Sequence, residues 1–352
     1  MIKTMYKNFK IVCNSAAGRR RYMQYLVPSI LSSDIIDRYD IWVNTTDMCD
    51  IEFFKRLSDK YPKVNLVWQP DGIIDGVKSI NAFYRNCIED NTIYLRLDDD
   101  VIWVEPDFFE KIVKFRIEHP EYLCVSPLVI NNPKSTYILQ VKDKLHLNNY
   151  YNSETFHDVF WKDGNFAYQL HSWFLNNYLK NDSYSNLFCG EVPIGVTRFS
   201  INSICWFGSD LKKINGIVDG DEEEFMSCVL PTRLGMPCCY YCDTIIAHFA
   251  FFTQRAMLDK MDILQKYGNV MHEKWKKSPV MSALDNDVQK IMEDIENNSE
   301  KISNGECPYK TSPVQNKKYI NKVKSTVKRL TPLIILEHIH NSKYSIEKFI
   351  QD

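Results

Sequence analysis

The sequence contains no apolar run long enough to cross a bilayer. A membrane-spanning helix needs roughly 20 consecutive apolar residues, whereas the apolar stretch over residues 245–252 is short and includes His248. The first 21 residues carry lysines but too short an apolar run for a secretory signal. These absences predict a cytoplasmic protein that meets a membrane, if at all, only peripherally at its inner face.

Neither the net charge nor the cysteines indicate a nucleic-acid-binding, disulfide-rich or zinc-binding protein. The formal net charge of −2 gives no global electrostatic basis for binding nucleic acid, so no such partner is expected. The eleven cysteines are irregularly spaced, which excludes a disulfide framework. Cys239 and Cys242 form a Cys-x-x-Cys pair, but no second pair stands at zinc-site spacing and the surrounding segment is typical of a buried strand.

The first hundred residues alternate between predicted strands and predicted helices. The strands are expected over residues 8–14, 39–44, 64–69 and 92–97, with helices between them ending near residues 31, 60 and 89. This alternation predicts an α/β fold with a parallel sheet and helices on its faces. Ligands of such sheets gather at the C-terminal ends of the strands, where polar residues follow each predicted strand here.

Three consecutive carboxylates, Asp98, Asp99 and Asp100, follow the fourth predicted strand directly. Side chains alternate along a strand, so we expect Asp98 and Asp100 on one side and Asp99 on the other. A hard divalent cation prefers oxygen ligands and can join a carboxylate to a substrate diphosphate. The pattern therefore predicts a Mn²⁺ or Mg²⁺ diphosphate site, with a solvated surface turn as the alternative.

A second acidic run, Asp221-Glu222-Glu223-Glu224, opens a predicted helix. A carboxylate there could accept a proton from an acceptor hydroxyl, or the run could simply favour the positive end of the helix dipole. His248, in an apolar strand, is either a core residue or a metal ligand, and an imidazole ligand would favour Mn²⁺ over Mg²⁺. Arg255 could bind a diphosphate or form a surface ion pair.

Together these segments resemble a GT-A-fold glycosyltransferase of the broad family 2 type. The resemblance rests on IVCNSAAGR, YLRLDDD, WFGSDLKKINGIVDGDEEEF and the histidine of DTIIAHFAFF. It implies a GT-A-like Rossmann-type mixed sheet flanked by helices over residues 1–255. The donor half would cover about 1–106 and the acceptor half about 107–255, including the polar and aromatic residues 131–195. A helical C-terminal extension would follow over 256–352, with a linker near 297–316.

The resemblance also implies an activity and the residues that perform it. The activity is metal-dependent and inverting transfer of a sugar from a nucleoside diphosphate sugar, with UDP as the first choice, to a hydroxyl of a saccharide or lipid-linked acceptor in surface polysaccharide synthesis. The metal ligands would be Asp98, Asp100 and His248. The base would be Glu222, or else Glu223 or Asp221. The acceptor site would contain Trp206, Phe207 and Gly208. The donor nucleotide would contact Asn14, Ala16, Gly18, Arg19, Asn44, Asp47, Asp71, Arg85, Asp98 and Asp99.

Two other functions stay open from the sequence. A nucleotidyltransferase that makes a sugar nucleotide shares this kind of sheet and acidic site. It needs a glycine-rich basic loop after the first strand, and the segment SAAGRRR matches such a loop only weakly. The second function that stays open is that of a non-catalytic sugar-binding protein with the same fold. The tail from Lys317 places aliphatic residues at helical spacing among lysines, which predicts a basic amphipathic helix, either against an anionic membrane or packed on the body.

Overall fold

The structure is a computed structural model that describes residues 6, 8–311 and 349–350. The strands are β1 (Lys10–Ala17), β2 (Arg38–Val43), β3 (Val64–Trp68), β4 (Ile73–Ile74), β5 (Thr92–Leu97), β6 (Val101–Val104), β7 (Val125–Ile130), β8 (Glu191–Ile194), β9 (Ser203–Phe207), β10 (Cys238–His248) and β11 (Lys310–Thr311). The predicted amphipathic helix after Lys317 lies outside the described residues.

The helices fall into three groups along the chain. Those of the first half are α1 (Arg20–Ser32), α2 (Met48–Lys60), α3 (Ile80–Phe83) and α4 (Phe108–Glu118). The middle of the chain contains α5 (Pro133–Val141), α6 (Gly164–Phe174), α7 (Gly208–Lys212), α8 (Glu222–Glu224) and α9 (Leu230–Leu234). The last group is α10 (Arg255–Lys260), α11 (Ile263–Trp275), α12 (Pro279–Asn297) and α13 (Ser299–Ser303). No helix among the described residues is both long enough and apolar enough to span a membrane.

One mixed sheet organises the chain, in the order β3-β2-β1-β5-β9-β7-β10-β6, with β8 also paired to β10. Strands β1, β2, β3 and β5 are parallel to one another, as the alternating pattern predicts. Strand β9 runs antiparallel between β5 and β7, and β10 is parallel to β7. The predicted α/β fold with a mixed sheet flanked by helices is therefore confirmed, and helices α10 to α13 confirm the helical character of the described C-terminal region.

Apolar clusters cover both faces of the sheet. Strand β5 is buried at every position, as expected for a central strand with a layer on each side. Helices α1, α2 and α4 pack on one face through residues such as Met23, Phe53 and Ile112. The aromatic segment over residues 131–195 covers the other face, where Trp103 contacts Phe174 with their ring centroids 5.4 Å apart. This segment has no clear sequence period because it contains short helices and irregular turns.

The C-terminal helices pack on two parts of the chain, with α10 and α11 against α6 and α12 against the first two helices. Helix α12 lies against α1 and α2, where it buries Val288 and Ile295. Tyr61 donates a hydrogen bond of 2.9 Å to Asp287 on α12. The stretch predicted as a linker contains α13 and β11 within its described part, and Tyr309 donates to the carbonyl oxygen of Val43 at 3.0 Å. Helix α12 and the segment after it thus pack on α1, α2 and the end of β2.

Candidate active site at the C-terminal edge of the sheet

The ends of β1, β2, β5 and β10 meet at one edge of the sheet because these strands point the same way. This edge brings together the acidic turn after β5, Gly18 and Arg19 after β1, and His248 at the end of β10. The antiparallel strand β9 begins at the same edge, so Asn202 also reaches the turn and its carbonyl accepts from the Asp98 amide at 2.9 Å.

Asp99 and Asp100 share the guanidinium of Arg19. Arg19 bonds both oxygens of Asp99, and its Nη2 lies 3.0 Å from Asp100 Oδ2. The Gly18 amide donates to Asp99 at 2.9 Å. A Cβ on Gly18 would lie only 3.1 Å from the Asn44 carbonyl oxygen, so glycine permits the loop after β1 to approach β2 closely. The loop after β1 is thereby fixed against the acidic turn.

The expected alternation of the three aspartates is wrong. Asp98 bonds Arg96 Nη2 at 2.7 Å and Asn202 at 3.4 Å, while Asp99 and Asp100 both face Arg19. The physical reason is that β5 ends at Leu97 and the chain then turns, with the Val101 amide donating to the Asp98 carbonyl at 3.1 Å. A turn does not preserve the two-residue period of a strand.

Asp100 and His248 form a buried acid–imidazole pair. His248 Nε2 lies 3.5 Å from Asp100 Oδ1, and His248 Nδ1 lies 3.1 Å from the Asn131 carbonyl oxygen. Burial alone would raise the pKa of Asp100, but Arg19, His248 and Arg255 together hold it well below its usual range. Burial opposes protonation of His248, yet the Asp100 carboxylate raises the pKa of the imidazole. The pair is thus buried beside the guanidinium groups of Arg19 and Arg255.

A second cluster links the acidic turn to the acidic run. Arg96, buried within β5, pairs with Asp98 and with Glu222, and its Nη1 donates to the Tyr84 hydroxyl at 2.9 Å. Tyr84 in turn donates to Glu222 Oε1 at 2.6 Å. Burial raises the pKa of the Tyr84 hydroxyl, so it remains a donor. Glu222 is therefore held by the side chains of Tyr84 and Arg96.

Glu223 occupies a different environment from its neighbour. Arg198 Nη2 lies 2.9 Å from Glu223 Oε2, and the Ile201 amide donates to Oε1 at 3.1 Å. Burial raises the pKa of Glu223 to about 7, with Arg198 opposing and the Asp98 charge adding to the rise, although 26% of the side chain stays exposed. Asp221 caps α8 by accepting from the Glu224 amide at 2.8 Å and also binds Arg198.

The residues predicted to contact the nucleotide are dispersed around this edge. Asp47 caps α2 through the Cys49 and Asp50 amides, which is a structural role that leaves its side chain half exposed. Asp71 and Arg85 form an exposed ion pair at 3.0 Å. Asn14 is fully buried within β1, and Ala16 is half-buried. These positions do not by themselves establish contact with a nucleotide, so the donor-binding role of these residues stays a prediction.

The structure does not bring Trp206, Phe207 and Gly208 to the site. Trp206 is fully buried and stacks on Tyr94 with their ring centroids 5.7 Å apart. Because β9 is antiparallel, its end pairs with the beginning of β5, with Phe207 opposite Ile93, at the edge of the sheet away from the acidic turn. This placement gives no support to the acceptor role expected for these three residues, which stays a prediction.

Several site residues were not singled out from the sequence. Arg198 and Asn202 precede β9, and the direction of that strand, which the sequence does not reveal, places them at the site. Asn131 has φ of 64°, a left-handed conformation that asparagine tolerates, and its side chain donates to the Phe249 carbonyl at 3.0 Å. An asparagine directly after a strand was the one available signal.

The side chains at this edge suit a metal ion that binds only a few protein ligands. Within the described residues, no three acidic, histidine or cysteine side chains are arranged as a metal cage. Asp100 and His248 nevertheless offer one oxygen and one nitrogen within 3.5 Å of each other. Ions of this class commonly take one or two carboxylates and complete their coordination with water and substrate phosphates. The pair therefore fits Mn²⁺, which accepts imidazole, held jointly with a diphosphate.

Replacing Tyr84 with phenylalanine tests the buried cluster. The change removes hydrogen bonds to two charged groups, so we expect the free energy of unfolding to fall by about 1.5–3 kcal/mol. Chemical denaturation monitored by circular dichroism measures this change. Tyr150→Phe, at an exposed hydroxyl, is the control and should change stability by less than about 0.5 kcal/mol. Equal effects from both substitutions would contradict the role given to the Tyr84 hydroxyl.

Comparisons with known proteins agree in fold alone. No family model matches the chain, and no curated protein does. Among solved structures, the chain is similar to glucosyl-3-phosphoglycerate synthase from Mycobacterium tuberculosis in complex with Mn²⁺, UDP and glucosyl-3-phosphoglycerate, at 12% identity and a TM-score of 0.42, over 77% of this chain and 82% of that one. It is also similar to 4-diphosphocytidyl-2C-methyl-D-erythritol synthase from Anaerococcus prevotii, at 10% identity and 0.39, over 76% and 99%.

A third similar structure is CMP:2-keto-3-deoxy-manno-octonic acid synthetase with CTP, at 10% identity and a TM-score of 0.38, over 73% of this chain and 98% of that one. These values describe a partial likeness, and the similar proteins include both a glucosyl-3-phosphoglycerate synthase and enzymes whose names contain CMP or diphosphocytidyl. Function therefore has to be inferred from the residues of this chain.

Proposed function

We propose that this chain is a metal-dependent glycosyltransferase. It moves a sugar from a nucleoside diphosphate sugar, with UDP as the first choice, to a hydroxyl of a saccharide or lipid-linked acceptor, with inversion, in surface polysaccharide synthesis. The observation that carries the proposal is the acidic turn between two charged clusters. Asp100 pairs with His248 on one side, and Asp98 is joined through Arg96 to the acidic run on the other.

The donor diphosphate would lie beside Asp100. Bound by Asp100 and His248, a divalent ion would offset the negative charge that develops on the leaving diphosphate. Arg255 Nη2 lies 3.4 Å from Asp100 Oδ2, so its guanidinium is placed to bond a phosphate oxygen next to this carboxylate. Arg19 and the Gly18 amide hold Asp99 and so position the turn rather than the substrate.

Glu223 is the best candidate for the catalytic base. It would take the proton of the acceptor hydroxyl while the hydroxyl oxygen bonds to the anomeric carbon and the nucleoside diphosphate leaves. A carboxylate with a pKa near 7 is a better acceptor of that proton than one held by a buried arginine, as Glu222 is. Glu222 and Asp221 then act as positioning residues, one through Arg96 and the other through Arg198.

The arginines after β1 favour a glycosyltransferase over a nucleotidyltransferase. A nucleotidyltransferase needs a basic loop that is available to triphosphate oxygens, yet Arg19, Arg20 and Arg21 all pair with carboxylates. Arg20 lies 2.9 Å from Asp50, for instance. The basic run thus attaches the loop and helix α1 to their neighbours.

Nucleoside diphosphates should stabilise the protein only in the presence of manganese. A ligand that binds the native state raises its stability by mass action, by about 2.7 kcal/mol at a concentration 100 times its Kd. A thermal-shift titration with UDP, GDP and CDP, each with and without Mn²⁺, measures this. The metal-dependent shift should be largest for one base and should identify the donor.

Product analysis separates the candidate enzymes. With the matching nucleotide sugar and an acceptor pool, a glycosyltransferase releases a nucleoside diphosphate, whereas a nucleotidyltransferase working from a triphosphate releases pyrophosphate. Release of pyrophosphate would overturn the proposal. Donor binding without any release would instead indicate a non-catalytic binding protein.

A further inference from the structure

A polar cavity adjoins the proposed base. It has a volume of about 510 Å³ and is lined by Tyr137, Asn152, Glu154, Thr155, Thr197 and Arg198, among others. Arg198 connects it to the site, since the same guanidinium lies 2.9 Å from Glu223. A larger cavity of about 580 Å³, beside Trp173 and Ile350, contains no residue of the site. The smaller of these two cavities therefore adjoins the proposed base, and the larger one does not.

An aromatic strip, made of Phe156, Trp161 and Phe252, runs beside this cavity. Phe156 is 56% exposed and Phe252 66% exposed, which is unusual for side chains of this size. Trp161 lies between them, with its ring centroid 5.3 Å from that of Phe156 and 5.2 Å from that of Phe252. Thr253 donates to the Trp161 carbonyl at 2.6 Å and so fixes the strip to the segment after β10.

The strip joins the two sides of the proposed active site. At one end, the Arg198 guanidinium lies 4.4 Å from the centre of the Phe156 ring. From the middle of the strip, the Trp161 ring centroid lies 6.2 Å from that of Phe251, which lies 4.9 Å from that of the His248 ring. A molecule lying along the strip therefore extends from the neighbourhood of Glu223 to that of His248.

The charges beside the strip disfavour an anionic ligand. Arg198 is already paired with Asp221 and Glu223, so its charge is offset twice. Lys134 brings one positive charge to the cavity, where its Nζ donates to Ser153 at 2.7 Å, but Glu154 adds a negative charge to the lining. The remaining lining residues named above are neutral amide and hydroxyl side chains. Aromatic faces beside neutral hydrogen-bonding groups suit a ligand with both apolar CH surfaces and many hydroxyl groups.

We propose that the aromatic strip and the 510 Å³ cavity form the binding site for a neutral oligosaccharide acceptor. Sugar rings stack on Phe156 and Phe252, and the amide and hydroxyl side chains of the cavity bond their hydroxyl groups. This inference rests on the proposed transferase function in one respect, namely that the bound acceptor presents its hydroxyl to Glu223. Binding of the oligosaccharide itself does not depend on catalysis.

A glycan array tests this site directly. The full-length protein is applied to neutral di- to tetrasaccharides of glucose, galactose, mannose and N-acetylglucosamine, together with sialylated and phosphorylated glycans. We expect binding to one neutral series, weakened about tenfold or more by Phe156→Ala and by Phe252→Ala. Val280→Ala, which truncates an exposed side chain on α12, is the control and should bind as the unchanged protein does.

The outcomes distinguish this inference from the proposed function. Binding to no glycan, binding only to anionic glycans, or neutral binding that survives both phenylalanine substitutions would overturn the acceptor site. Binding to anionic phospholipid vesicles that both substitutions abolish, in the absence of glycan binding, would also overturn it in favour of a membrane surface. The manganese-dependent thermal shift with nucleotide is measured on the same samples. A failure of the proposed transferase function is therefore detected independently of a failure of the acceptor site.

Discussion

Substituting Asp100 with asparagine should abolish manganese-dependent nucleotide binding and lower kcat by on the order of 10³-fold. Asp100 is the carboxylate that lies beside His248, Arg19 and Arg255 together. An amide cannot supply the negative oxygen that a divalent ion prefers, although it keeps the shape of the side chain. Release of nucleoside diphosphate from the nucleotide sugar measures the activity, and the thermal shift with Mn²⁺ measures binding.

The same substitution should have a modest effect on stability, with a defined pH dependence. The pKa of Asp100 is depressed in the folded protein, because Arg19, His248 and Arg255 outweigh burial. Its carboxylate thus contributes stability that is present above its unfolded pKa and lost as the pH falls through the folded value. Asp100→Asn should lower the free energy of unfolding at pH 7 by about 1–3 kcal/mol and weaken the acid dependence.

Asp107→Asn is the matched control for Asp100→Asn. Asp107 is exposed at the start of α4, where its side chain makes no capping bond, so its neutralisation should change neither activity nor nucleotide binding. Full activity and an unchanged manganese-dependent shift in a folded Asp100→Asn protein would remove the metal role assigned to Asp100.

Glu223→Gln should lower kcat by about 10²–10⁴-fold and remove the pH dependence of activity near neutrality. The base must be deprotonated to accept a proton, and the pKa of Glu223 is raised to about 7, chiefly by burial. In the unchanged enzyme, kcat/KM should therefore rise with pH up to about 7 and then level off. Steady-state rates from pH 5 to 9 test both the magnitude and the shape.

The contribution of Glu223 to stability should change with pH in the opposite direction to that of Asp100. A raised folded pKa means that stability is greatest below the unfolded value of 4.5 and is lost as the pH rises through about 7. Glutamine carries no charge, so this decline should disappear in the variant. Chemical denaturation at pH 5 and pH 8 measures this decline in stability. If Glu223 had only a structural role, its substitution would change the stability without removing the pH dependence of the rate.

Neighbouring glutamates provide the controls for Glu223→Gln. Glu224 is exposed, and its glutamine variant should retain activity. Glu222→Gln should lower the rate through the loosening of Arg96, but the rise in rate near pH 7 should persist. If the pH dependence is lost in Glu222→Gln and retained in Glu223→Gln, the base is Glu222.

Local sequence patterns sufficed for much of the fold and for part of the site. Alternating apolar strands and helices predicted the parallel strands β1, β2, β3 and β5. A strand that is buried on both faces is a continuous apolar run, so it can be recognised without knowing which strands pair with it. Since parallel strands end at one edge, the pattern also predicted that the aspartates after β5 would meet the loop after β1, as Gly18 and Asp99 do.

Contacts between distant segments could not be predicted in this way. The direction of β9 depends on its pairing with both β5 and β7, and it decides that Asn202, rather than Trp206, reaches the acidic turn. The difference between Glu222 and Glu223 depends on which arginine each one meets, and Arg96 and Arg198 lie far away along the chain.

The sequence by itself therefore determined the class of fold, the edge at which the site forms and the identity of the acidic and histidine residues there. These follow from local periodicity and from the chemistry of adjacent side chains. Only the tertiary structure decided the partners of each carboxylate, the burial that raises the pKa of Glu223, and the placing of Phe156 beside Arg198. Burial and charge pairing arise from segments brought together by folding, so a one-dimensional pattern does not contain them.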